Sequence, residues 1–188
     1  MQMVDFKAEL RDCSLAEDAL RLAGAERVAS VRHTDTHFRV PDAHLLRRIL
    51  TAEGSATATG SEWLFYTRPN RVTPRISMVC VYNEAAAADR FGAARPPVWL
   101  ILEKERTTWV AGDVRVHLDD VTGLGRFVEF EMRVSPRRNV ARCHRDIGQL
   151  RKLLRPAMGE AIGCGYRDLM ALEQEIGPTE AMLPAGPA

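Results

Sequence analysis

At 188 residues, 46% of them hydrophobic, the chain is sized for one compact domain with a proper core. Its 26 basic and 25 acidic side chains leave a net charge of +1, which excludes a strong overall field for recruiting nucleic acid or an anionic membrane; any anion site must be local. The four cysteines are too dispersed for a zinc-ligand cluster, and no stretch approaches the ~18 apolar residues of a membrane span, so a reduced, cytoplasmic protein is expected.

Residues 3 to 11 alternate, with Val4, Phe6, Ala8 and Leu10 on one side and Met3, Asp5, Lys7, Glu9 and Arg11 on the other, which is the period of a strand with one charged face. Ser14 is placed to cap a short amphipathic helix carrying Leu15, Ala19, Leu20 and Leu22 and ending near Gly24. Residues 27 to 40 read as a strand, while periodicity leaves 41 to 50 open between helix and strand. The small, polar stretch 54 to 61 reads as a mobile loop. Further strands are expected over 63–68, 75–82, 98–106, 108–119 and 125–134, all rich in Val, Ile, Phe and Trp, making eight with the ambiguous segment. An alanine-rich helix over 83–91 interrupts them, and helical spacing follows over 138–155 and 159–175. One domain over 1–178 and a flexible tail over 179–188 are expected.

The same split recurs in the later strands. Phe127, Glu129, Glu131 and Arg133 oppose Val128, Phe130, Met132 and Val134; Arg115, His117 and Asp119 oppose Val114, Val116 and Leu118; Lys104 and Arg106 share one side. Each strand read alone fits a half-exposed sheet with its charged face in water. Eight strands, however, suffice to close a barrel, and the helices offer apolar stripes to cover its outside. The predicted fold is therefore α+β, a closed eight-stranded antiparallel β-barrel with helices packed outside and charge lining the interior. Carboxylates mixed with Lys and Arg suit a polyanion carried with a hard divalent cation, which points to phosphoryl or nucleotidyl transfer.

Lys104-Glu-Arg106, followed by Val114-Arg-Val-His-Leu-Asp119-Asp-Val-Thr-Gly-Leu-Gly-Arg-Phe-Val-Glu129-Phe-Glu131, resembles the K-x-R and hLDxVxGLGxFxExE segments of the CYTH, or triphosphate tunnel, family. Asp35-Thr-His-Phe38, Tyr66-Thr-Arg68, Arg75-Ile-Ser77 and Gly165-Tyr-Arg-Asp-Leu-Met170 resemble its other motifs. The resemblance implies a metal-dependent enzyme acting on a nucleoside or organic triphosphate, a class IV adenylyl cyclase (a phosphorus–oxygen lyase) or a triphosphatase. It implies Mg²⁺ or Mn²⁺ as cofactor, held by Glu129, Glu131, Asp119 and Asp5. It assigns Arg48, Arg68, Lys104 and Arg106 to phosphate, Lys7 and Arg106 to catalysis, a small phosphorylated molecule as partner, and homodimerisation.

Two departures weaken that pattern. The family's E-x-E-x-K appears as Met3-Val-Asp5-Phe-Lys7, and its basic GRLxLR strand as Ala43-His-Leu-Leu-Arg-Arg48. Metal and phosphate affinity should both suffer. Met3 and Leu46 thus open an alternative, a repurposed tunnel taking another phosphorylated or organic-acid metabolite with reduced or no triphosphate chemistry. His33, His37 and His117 sit on strand faces where they would either titrate or serve as ligands, or merely satisfy local hydrogen bonds.

Overall fold

The computed structural model describes residues 1–92 and 94–174. Eight strands close on themselves: β1 (Gln2–Leu10), β2 (Glu26–Phe38), β3 (His44–Ala52), β4 (Gly60–Thr67), β5 (Arg75–Tyr82), β6 (Val98–Ala111), β7 (Val114–Val121) and β8 (Gly125–Arg133). Their order is β5-β4-β3-β2-β6-β7-β8-β1, every neighbour is antiparallel, and the ring is shut where Met3 of β1 lies opposite Ser77 of β5. A short β9 (Met158–Ala161) then pairs with the far half of β1, beyond the point where β5 has left it. Closure removes the free edges that a flat sheet would expose.

Because side chains alternate across each strand, closing the sheet sends one set in and the other out. The outward set of β1, β7 and β8, including Val4, Phe6, Val116, Val128 and Phe130, is buried under helices α1 (Cys13–Leu22) and α3 (Val140–Leu154), which contribute Ala16, Leu20, Cys143 and Ile147. The main apolar core is thus the layer between wall and helices, and each such Phe, Leu or Ile is worth about 1.5–3 kcal/mol. Helix α2 (Glu84–Phe91) covers Leu45 and Trp63 on the other flank, and α4 (Tyr166–Glu173) packs with Trp99, Leu102, Val121 and Phe127.

The segment 41 to 50 resolves as β3, which pairs with β2 over eight positions. The expected boundary near residue 107 is wrong: β6 runs unbroken to Ala111, and the turn comes where Gly112 adopts φ +59. Thr107-Thr108 are good strand formers, so nothing there breaks the pairing with β7. The helix expected over 159–175 is also corrected. Pro156, Gly159, Gly163 and Gly165 disfavour it, and β1 offers unpaired backbone from Ala8 to Leu10, so β9 forms and the helix begins only at Tyr166. Asp12, not Ser14, caps α1, its carboxylate accepting from the Leu15 amide at 2.9 Å. The expected tail over 179–188 lies outside the described residues. Among those residues no helix is long and apolar enough to cross a membrane.

Candidate functional site

A cavity of about 710 Å³ runs inside the barrel. The register fixes its polarity. Lys7 of β1, Arg68 just past β4, His44 of β3 and Lys104 of β6 lie toward the end where Gly165, Tyr166 and Arg167 of the α4 start reach across it. Val28, Leu50, Val81, Val110 and Arg115, at the other termini of their strands, line the opposite end.

The floor beside α4 is a network of buried charge. Arg106 forks Asp119 through two hydrogen bonds of 2.7 and 2.6 Å and donates a third, of 2.7 Å, to Glu129. Lys7 Nζ lies 3.6 Å from Glu129 and 3.4 Å from the centre of the Tyr166 ring, whose hydroxyl donates to Asp119 at 2.8 Å. Lys104 Nζ is 3.6 Å from Asp119. Arg75 donates to Asp5 at 2.8 Å and also to the Arg71 carbonyl, while Arg68 sits 3.7 Å from Asp5 and 3.8 Å from Glu129. Arg167 reaches Asp168 and His44. Six cations (Lys7, Arg68, Arg75, Lys104, Arg106, Arg167) therefore face four carboxylates (Asp5, Asp119, Glu129, Asp168), two positive charges in surplus. Among the described residues, Arg68 Nε, Arg75 Nη2 and Arg167 Nη1 are buried without an acceptor, which is costly.

Burial sets the ionisation here. It pushes Lys7 down to about 8, against the pull of Glu129, and depresses Lys104 as well. Burial alone would raise Glu129 and Asp119, but Lys7 and Arg106 around the first, and Arg106 with Lys104 around the second, hold both well below the usual carboxylate range. Asp5 is raised, since burial outweighs Arg68 and Arg75. Higher in the barrel, Arg48 forks Asp35 at 2.7 and 2.8 Å. Burial, reinforced by nearby arginines, pushes His37 down to about 3 and His33 and His44 to about 2, so all three are neutral at pH 7.

A family model, the CYTH domain, matches residues 1–163. The chain belongs to the CYTH family. Among solved structures its fold is similar to the PH1819 protein of Pyrococcus horikoshii, 22% identical, TM-score 0.64, covering 92% of this chain and 99% of that one. It is similar also to a Vibrio parahaemolyticus protein proposed to be an adenylate cyclase, at 13% identity and TM-score 0.68 over 90% and 97% of the two chains. A third is the Hippeastrum protein HpAC1, whose dominant activity is that of a triphosphatase, at 15% identity and TM-score 0.56 over 96% and 99%. A comparison with curated proteins finds no match.

The CYTH barrel gathers Asp5, Lys7, Lys104, Arg106 and Glu129 around its cavity, with Arg48, Arg68 and Glu131 also lining it and Asp119 buried against Arg106. It does not gather Glu9, Arg11 and Arg133 with them: Glu9 and Arg11 pair with each other on the surface, and Arg133 is exposed. Sequence reasoning gave Arg167, Tyr166 and Arg75 no role of their own, although all three stand in segments that match CYTH motifs. An arginine in the first turn of a helix reads as a solvated cation, and only the placement of α4 across the tunnel brings Arg167 inside.

The divalent cation implied for CYTH proteins fits part of the expected donor set. Glu129 and Glu131 supply hard oxygens two residues apart on the inward face of β8, and Glu131 has only His117, at 3.3 Å, as a partner among the described residues. Asp5 and Asp119 are held by Arg75 and Arg106, and among the described residues no three acidic, His or Cys side chains converge as a ready-made metal cage.

Proposed function

We propose that this CYTH protein binds the phosphoryl end of a small phosphorylated molecule against the α4 end of its tunnel and promotes attack at phosphorus, as a cyclase or a triphosphatase. The observation that carries this reading is the surplus of two positive charges on the cavity floor, with Lys7, Arg68, Lys104, Arg106 and Arg167 all lining the cavity. Phosphate oxygens are the acceptors such guanidinium groups pair with best. Lys104 and Arg68 bind those oxygens, and Arg48, already forked to Asp35, contributes charge from higher in the barrel. Lys7 and Arg106 steady the charge that grows on phosphorus oxygens as the bond breaks, in a buried setting where fixed charges act strongly. Mg²⁺ or Mn²⁺ would be held by Glu129 and Glu131, with Asp119 and Asp5 joining only on release of their arginines; its chemistry is neutralisation of the phosphate. The ligand's own hydroxyl or a water is the nucleophile. The protein acts in the cytoplasm, as a homodimer, without nucleic acid or membrane.

A second reading, binding with little turnover in a repurposed tunnel, is favoured by the same saturated carboxylates: with Met3 in place of an acid and Asp5 tied to Arg75, few oxygens remain for a cation. Titration calorimetry with tripolyphosphate, ATP and thiamine triphosphate, with and without Mg²⁺, together with product analysis, decides between them. Metal-dependent turnover lost in Glu129→Ala and Glu131→Ala supports the enzyme. Binding that is indifferent to metal and yields no product supports the second reading, and the absence of binding to all three sinks the triphosphate reading and leaves a tunnel for another phosphorylated or organic-acid metabolite.

A further inference from the structure

The tunnel changes character along its axis. On β4 the inward residues run Glu62, Leu64 and Tyr66, with Arg68 just past its end; on β5 they run Val81, Val79, Ser77 and then Arg75; on β1, Met3 precedes Asp5 and Lys7. Register places Leu46, Leu64 and Val81 side by side across three adjacent strands. Across the barrel, Val28 and Val110 add apolar lining at the open end, beside a polar wall that includes His33, Arg48, Thr108, Arg115, His117 and Glu131, so the apolar surface is concentrated on β3, β4 and β5. Val28 is 55% exposed and Val81 45% exposed, although both line the cavity. A cavity whose wall is apolar on one side and whose polar groups converge at one end is the usual make-up of a small-molecule site. A bare polyphosphate or a hydrophilic sugar phosphate would leave this half uncovered.

From this we infer that the organic group of the ligand is apolar: the tunnel takes a mono-, di- or triphosphate ester of an aliphatic or aromatic alcohol, bound head-first with its phosphoryl end against α4. The inference rests on the anion reading above and adds the chemistry of the other end. The cationic floor recognises the head. Leu46, Leu64, Val79 and Val81 cover the body, with the Tyr66 ring, stacked on His44 at 4.5 Å, forming the boundary between them. Selectivity then comes from burying the hydrocarbon, since the head is common to every competitor.

The test is titration of the whole protein with inorganic pyrophosphate, tripolyphosphate, geranyl diphosphate and geraniol, repeated on Leu64→Gln. The expected result is geranyl diphosphate binding on the order of tenfold or more tighter than pyrophosphate. Geraniol should bind weakly, and Leu64→Gln should lose the advantage of the ester while keeping pyrophosphate affinity. If pyrophosphate or tripolyphosphate binds as tightly as the ester in the unmodified protein, the apolar assignment is overturned and the anion site stands. If none of the phosphorylated probes binds, the anion reading itself fails.

Discussion

The two ends of the tunnel are built from the same eight strands and the same alternation, yet they are stabilised in opposite ways. At the α4 end, Arg106, Asp119, Glu129 and Lys7 form a network in which each charge is tolerated only because the others are present. At the open end Leu64, Val79 and Val81 are neighbours without charge, so only short-range packing couples them and no residue's ionisation depends on another. The lesson is that one inward face carries a strongly coupled site and a weakly coupled one, distinguishable by how mutations combine.

Arg106→Ala should show the largest effect. It removes the three short hydrogen bonds that Asp119 and Glu129 accept from Arg106, leaving them the Tyr166 hydroxyl and the longer contacts of Lys104, Lys7 and Arg68, and should cost up to about 3 kcal/mol in denaturant unfolding. Arg106→Leu combined with Asp119→Leu should cost well under the sum of the two single changes. Additive losses would break the contrast between the two ends.

Acidification comes next. His33, His37 and His44 have folded pKa values far below the unfolded 6.5, so below about pH 6.5 the unfolded chain binds more protons and stability falls with pH. Each histidine should contribute up to about 1.4 kcal/mol per pH unit. Unfolding curves at pH 7, 6 and 5 measure the slope, which should shrink in His37→Gln.

Anion binding should weaken in the other direction. Burial holds Lys7 down to about 8, so above that value pyrophosphate affinity, corrected for the probe's own ionisation, should fall by up to about tenfold per unit. Lys7→Arg should remove the break, because a guanidinium stays charged. An unchanged profile in that variant would dissociate Lys7 from the anion. The smallest effect belongs to the open end: Leu64 is only half-buried, and Leu64→Ala should cost about 1 kcal/mol or less, against about 2–5 for Leu45→Ala in the outer core.

The barrel was legible because period-two alternation with a charged inward face is written into each strand separately, as Asp5-Phe6-Lys7 and Glu129-Phe130-Glu131 show. β9 was not, because four residues containing a glycine have no strand signature of their own; what defines them is the free edge of β1 at Ala8 and Leu10. The floor was half legible. Lys104 and Arg106 stand out two apart on one strand, whereas Arg167 acquires its meaning from tertiary placement alone. The commitment of Asp5 to Arg75 was invisible for the same reason: the two are 70 residues apart in sequence and meet only when β5 closes on β1.

That closure has a consequence for how the molecule is made. Of the eight barrel strands β1 is synthesised first and its partner β8 last, with Met3 opposite Arg133. At a synthesis rate of about 5–20 residues per second, the nascent strand waits roughly 6–25 s for that partner. Throughout that interval Val4, Phe6, Ala8 and Leu10 have no β8 beside them and no α3 above, so the emerging chain offers chaperones an apolar strand edge long before it offers a ligand a tunnel.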